Sequence, residues 1–112
     1  MISIIYYAHS MGIYGKTRER EELDIIQGTF ADSCIYNPNR KYIQKAKDPM
    51  KRCLKIINDA SVTALVFSEQ RGKVTAGVYL EIITAQRAKK PVYRIFDDSV
   101  EEFQGLPKRG KN

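Results

Sequence analysis

Apolar runs alternate with stretches of helical periodicity along this chain. Residues 2–8, 62–67 and 91–96 are short, apolar and rich in β-branched and aromatic residues, the make-up of strands buried on both faces. Ser33-Cys34-Ile35-Tyr36, closed by the turn signal Asn37-Pro38-Asn39, predicts a further short strand between the first two. Pro91 sits at the first position of its strand, where a missing N–H is tolerated.

Helical spacing fills the gaps. Leu23, Ile26 and Phe30 form a stripe behind Thr17, the expected N-cap, with Glu19, Glu21 and Glu22 near the positive end of the helix and Gly28 near its close. Asp48 is expected to cap a helix that has Pro49 at its first position and buries Met50, Cys53, Leu54 and Ile57. Residues 40–48 are basic and polar without a clear period. In residues 74–89, Val74, Val78, Ile82 and Ala85 make one apolar stripe. Asp97-Asp98-Ser99 reads as the cap of a last short helix reaching Phe103.

Alternation at this pitch implies parallel strands joined by right-handed crossovers. The expected fold is α/β: a three-layer α/β/α, doubly wound parallel sheet of four to five strands, flavodoxin- or Rossmann-like, with order 2-1-3-4 and one domain over 1–112. Ligands of such sheets bind at the carboxyl ends of the strands. The loops after the first and third strands are therefore the place to look.

Composition narrows the setting. With 112 residues, 43% of them hydrophobic, the chain is sized for one core. No apolar run approaches the roughly 20 residues of a membrane span, and residues 1–8 lack the basic start of a secretory leader, so a cytoplasmic protein is expected. Cys34 and Cys53 lack metal-ligand spacing and His9 is the single histidine. Packed thiols, no metal and no cofactor are expected. The net charge of +6 favours phosphate-bearing ligands. It reads as scattered, densest in residues 107–112 of a flexible basic tail, 104–112. No nucleic-acid motif accompanies it, so nucleic acid is not the expected partner.

The strongest candidate for chemistry is Glu81. Gly77 and Ala85 lie four residues to either side, on the same line of the helix, and leave open space over the carboxylate. Glu81 stands roughly 50–60° from the centre of the apolar stripe, at about 100° per residue. It thus flanks the core, where desolvation raises a carboxyl pKa and suits it to nucleophilic or acid–base work. Tyr6, near the end of the first strand, is placed to hold a carboxylate or a sugar hydroxyl. Ser10 and the backbone N–H groups after it are placed to receive a phosphate, helped by Lys16 or Arg18, and His9 is a loop residue beside them. In the loop after the third strand, Glu69, Arg71, Gly72, Lys73 and Thr75 precede a helix whose positive end favours anions. Neither a P-loop nor a dinucleotide fingerprint is present.

Two stretches carry a family resemblance: Ile5-Tyr6-Tyr7-Ala8-His9-Ser10-Met11, and Thr75-Ala76-Gly77-Val78-Tyr79-Leu80-Glu81-Ile82-Ile83-Thr84-Ala85, with Lys90-Pro91-Val92-Tyr93 after them. Together they resemble the nucleoside 2-deoxyribosyltransferase superfamily, including its 2'-deoxynucleoside 5'-phosphate N-hydrolase branch. The resemblance implies cleavage or transfer at an N-glycosidic bond. Glu81 matches the carboxylate that attacks C1′, and Tyr6 the tyrosine that orients it. Ser10 and Thr75 match the hydroxyls that hold a 5′-phosphate, with Gly77 beside them. The chain departs from the family pattern at Thr63, where an aspartate is usual, and at His9, where glycine is usual. Glu69 is the candidate replacement for the missing carboxylate. A nucleoside or nucleotide is the implied substrate, and a homodimer or higher homo-oligomer the implied assembly, through Tyr79, Leu80 and Ile83. Binding of a nucleotide without turnover, and association with nucleic acid through the basic surface, are the alternatives.

Overall fold

Ile5 and Tyr7 leave one face of the first strand, Tyr6 and Ala8 the other, and all four are buried, so both faces of the sheet must be covered. In a computed structural model of the chain, which describes residues 2–110, that strand is β1 (Ile4–Ala8). It is followed by a 3-10 turn (Met11–Ile13), α1 (Thr17–Thr29), β2 (Cys34–Tyr36), α2 (Lys41–Gln44), α3 (Pro49–Ile57), β3 (Val62–Phe67), α4 (Ala76–Arg87), β4 (Val92–Phe96) and β5 (Ser99–Glu102). The result is an α/β fold on one five-stranded sheet of order β2-β1-β3-β4-β5. The first four strands run parallel and β5 pairs antiparallel to β4.

Two apolar clusters follow from the alternation along β1 and β3. Ile5, Tyr7, Ala64 and Val66 pack with Ile26, Leu23 and Phe30 of α1. Tyr6, Ala8, Leu65 and Phe67 pack with Cys53 and Ile57 of α3 and with Val78, Ile82 and Ala85 of α4. Asp48 caps α3 as expected, its carboxylate accepting from the Lys51 N–H at 3.1 Å.

Several expectations give way. The last helix is absent: Asp97 (φ 49°) and Asp98 (φ 59°) form a two-residue turn and Ser99–Glu102 returns as β5. Aspartate tolerates positive φ, and two such residues in succession are the geometry that joins twisted antiparallel strands. Thr17 is the first helical residue of α1, not its cap; Lys16 holds that position without a side-chain bond. Part of the basic stretch, Lys41–Gln44, forms the short helix α2, anchored by buried Ile43. Of the two thiols, Cys53 is buried but Cys34 is exposed on the edge strand.

The C-terminal segment is docked as far as Gly110. The Val74 N–H donates to the Lys108 carbonyl at 2.8 Å and the Gly110 N–H to the Val74 carbonyl at 2.7 Å. Pro107 is buried, and the Arg109 guanidinium stands over the Tyr79 ring. Lys111 and Asn112 lie outside the described residues. This chain's own tail thereby covers one of the α4 residues expected to meet a second copy, while Leu80 stays 47% exposed. No helix among the described residues is long and apolar enough to cross a membrane.

Candidate functional site

Tyr6 and Tyr7 are neighbours on β1 and point to opposite faces, and each reaches a buried carboxylate. The Tyr6 hydroxyl donates to Glu81 Oε2, while the Tyr7 hydroxyl donates to Glu22 Oε1 at 2.6 Å. The first pair lies on the side of α3 and α4, the second on the side of α1.

Glu81 is 4% exposed in the middle of α4. Burial pushes its carboxyl up to about 8, with the Tyr6 hydrogen bond pulling the other way. An ionised carboxylate so placed loses hydration that one phenol cannot replace. Burial, and then the adjacent carboxylate, hold the Tyr6 phenol well above its ordinary range, so it stays a donor.

A cavity of about 700 Å³ opens over Glu81. From the end of β1 and the 3-10 turn come His9, Ser10 and Tyr14; from α2 and α3, Ile43, Gln44, Asp48, Met50 and Cys53; from α4 and its cap, Thr75, Gly77, Val78 and Glu81. It sits at the carboxyl end of β1 and the amino end of α4, where the crossover loops part. Ser10 Oγ accepts from the Gly12 N–H at 2.9 Å, and Thr75 Oγ1 from the Val78 N–H at 3.3 Å. Each hydroxyl therefore keeps its own proton to donate. Among the described residues, no lysine or arginine lines this cavity. The charge expected from Lys16 and Arg18 is not delivered: Arg18 is held by Glu22 and Asp98 at 2.9 and 3.2 Å.

Of the sequence-derived candidates, Glu81, Ser10, His9, Thr75 and Gly77 line one cavity, and Tyr6 meets it through Glu81. Glu69 and Gly72 are not in that lining. Glu69 faces Arg94 at 3.7 Å. Gly72, with φ 73°, and Arg71, with φ 55°, form a tight turn closed by mutual Gln70–Lys73 hydrogen bonds. The geometry of that turn sends the loop outward. Thr63 lies at the amino end of β3, its hydroxyl 2.6 Å from that of Ser3, at the opposite end of the strand from the cavity mouth.

The space over Gly77 is not empty. A Cβ built there would come 2.8 Å from the Met50 methyl, so α3 and α4 approach closely and Met50 forms part of the wall. Because that methyl ends a flexible side chain, Gly77→Ala is expected to push it into the cavity at little cost, offset by the roughly 0.5–1 kcal/mol that alanine adds to a helix. Thermal denaturation should show a melting temperature within a few degrees of the wild type. Ligand affinity measured by calorimetry should fall about tenfold or more.

Sequence reasoning missed three features. Asp48 was assigned as a helix cap, which it is, yet it is also a second carboxylate on the cavity wall. Glu22 is 1% exposed and accepts from Tyr7, from Ser68 Oγ at 2.8 Å and from Arg18 Nε at 2.9 Å. Glu19, 7% exposed, gathers His9 Nε2 at 2.9 Å, the Gly15 N–H at 3.0 Å and Asn39 Nδ2 at 3.0 Å. These donors hold its carboxyl below the usual range against the opposing effect of burial. Glu19 thus ties the loop after β1 to the loop after β2. The His9 ring stacks on Tyr7, centroids 3.8 Å apart, and burial lowers its pKa against the pull of Glu19. It is a fixed wall of the cavity rather than a free base. Only the position of Glu19 and Glu22 in the first turns of α1, one step from the apolar stripe, hinted at this.

Comparison with known proteins finds no matching family model, no matching curated relative and no matching solved structure.

Proposed function

We propose that the chain cleaves, or transfers at, the N-glycosidic bond of a nucleoside, on a doubly wound, flavodoxin-like framework. The observation that carries this reading is a carboxyl, Glu81, buried at a cavity of nucleoside size and held by the hydroxyl of a buried tyrosine, Tyr6. The Glu81 carboxylate would attack C1′ as the C1′–N bond breaks and the base departs with the electron pair. Positive charge developing at C1′ favours the ionised carboxylate, so the group is worth more in the transition state than before it. Asp48, the N-cap of α3, is a second carboxylate on the same wall. Ile43, Met50 and Val78 supply the apolar surface for a flat ring, and Ser10 and Thr75 the hydroxyls for the sugar end. That no cationic side chain among the described residues lines the cavity favours an uncharged nucleoside over its 5′-phosphate.

Incubation with deoxynucleosides and with deoxynucleoside monophosphates, followed by chromatography for free base, tests the reading. Base release is expected from nucleosides first, with kcat/KM rising through about pH 8, because the attacking form is the ionised one and the free carboxyl titrates at about 8. No release from either set overturns it.

The high pKa also favours a second reading, in which a neutral Glu81 donates a hydrogen bond and the nucleoside is bound intact. Calorimetric binding without base release, tightest below pH 8, is its signature.

A further inference from the structure

Residues 40–55 hold seven of the chain's nineteen lysines and arginines and one of its thirteen acids, so this stretch carries the whole net charge of +6. The other twelve cations are balanced by twelve acids. The excess charge is therefore not scattered: the tail is denser over its six residues, but residues 40–55 hold the larger cluster. All seven cations are exposed, and none takes part in an ion pair among the described residues.

Aromatic rings are interleaved with that charge. Tyr36 ends the edge strand β2, packs its ring against Tyr6 with centroids 5.7 Å apart, and shares a 2.6 Å hydroxyl hydrogen bond with Tyr42. Arg40 stands over the Tyr36 ring at 5.5 Å and Arg52 over the Tyr42 ring at 5.9 Å. Tyr42 is 50% exposed. A shallow hollow of about 380 Å³ lined by Tyr36, Tyr42, Arg52, Lys55, Ile56 and Asp59 adjoins this row, with the Asp59 carboxylate turned to the Ser61 hydroxyl at 2.6 Å. It is separate from the cavity over Glu81, sharing no lining residue with it.

We propose that this face binds single-stranded nucleic acid. Phosphates meet the exposed lysines and arginines, and a base stacks on Tyr42, the combination of cationic track and aromatic platform that such strands require. The wall made by Tyr6, Tyr36 and the paired hydroxyls keeps the platform in place, so stacking costs little ordering. An anionic membrane would meet the same charge, but within residues 40–55 Tyr42 is the one large apolar side chain that is exposed, which leaves this stretch little to insert between lipids.

Fluorescence anisotropy with a labelled oligothymidylate, across a series of salt concentrations, tests the proposal. Affinity is expected to fall linearly on a log–log plot, by about 0.7 per phosphate neutralised. Arg52→Glu with Lys55→Glu should shallow that slope by about 1.4 and weaken binding at least tenfold at low salt. Tyr42→Ala should weaken binding about tenfold with the slope unchanged, and Tyr42→Phe, which keeps the ring but loses the hydroxyl bond to Tyr36, should weaken it less. Glu81→Gln should bind as the wild type does, which separates this face from the glycosidic reading. Circular dichroism confirms that each variant is folded. No binding at low salt, binding indifferent to the Arg52 and Lys55 reversals, or equal capture by anionic vesicles that survives Tyr42→Ala would overturn the proposal.

Discussion

Replacing Glu81 by glutamine raises the melting temperature at pH 8 and leaves it unchanged at pH 4. The sign follows from linkage. In the unfolded chain the carboxyl loses its proton near 4.5, whereas in the folded protein it keeps it to about 8. Between those values the unfolded state binds fewer protons, so wild-type stability falls as pH rises, and the loss is complete above pH 8. A difference of that span corresponds to on the order of 5 kcal/mol. Glutamine has the same shape, retains an oxygen for the Tyr6 hydroxyl and never ionises, so the variant escapes the loss. Below pH 4 the two side chains are both neutral and the curves converge. Thermal melts of the two proteins across this range, compared as a difference, isolate the group from every other titration. Equal melting temperatures throughout would mean that the carboxylate is solvated in the folded state. On the proposed function the same substitution also removes the nucleophile, so the gain in stability is expected to accompany loss of base release.

The second large effect is on the other face of the sheet. Glu22→Ala is expected to destabilise the protein by about 3–5 kcal/mol, because it leaves the Tyr7 and Ser68 hydroxyls buried without their acceptor and Arg18 without its near partner. Glu22→Gln, which keeps the shape and one acceptor oxygen, should cost about 1–2 kcal/mol. Adding Tyr7→Phe to Glu22→Leu should recover part of the alanine loss, since it removes one of the two orphaned hydroxyls and leaves only that of Ser68. Denaturant titrations of the four proteins give these values. An alanine variant within 1 kcal/mol of the wild type would show that the cluster is not part of the folded core.

The strands and the main helices were legible because their signals are local. Val62–Phe67 and Ala76–Arg87 carry uninterrupted apolar or periodic patterns, and the Asp48-Pro49 cap is a dipeptide with one strong geometry. Asp97-Asp98 was ambiguous for the opposite reason. The same short polar side chains cap helices and make tight hairpins, and only the antiparallel pairing with β4 decides between them. The candidate site divided along the same line. Gly77, Glu81 and Thr75 share one helix, so their relation was fixed by helical geometry. Tyr6 lies 75 positions from Glu81 and its placement followed from the parallel topology. Glu69, by contrast, depended on the course of a loop, and the turn at Arg71-Gly72 carries it toward Arg94 instead. The sequence places Glu19 and Glu22 near the positive end of a helix and says nothing more of them. Their burial depends on donors from four other segments, which no local pattern reveals.

The most direct test of the central claim is intact-protein mass spectrometry after incubation with a 2′-fluorinated deoxynucleoside, whose electron-withdrawing substituent slows release of a glycosyl ester. A single added sugar, mapped by digestion to the peptide bearing Glu81 and absent from Glu81→Gln, is the expected result. Free base released with no adduct at any time point, or an adduct that persists in the glutamine variant, would contradict a covalent role for this carboxylate.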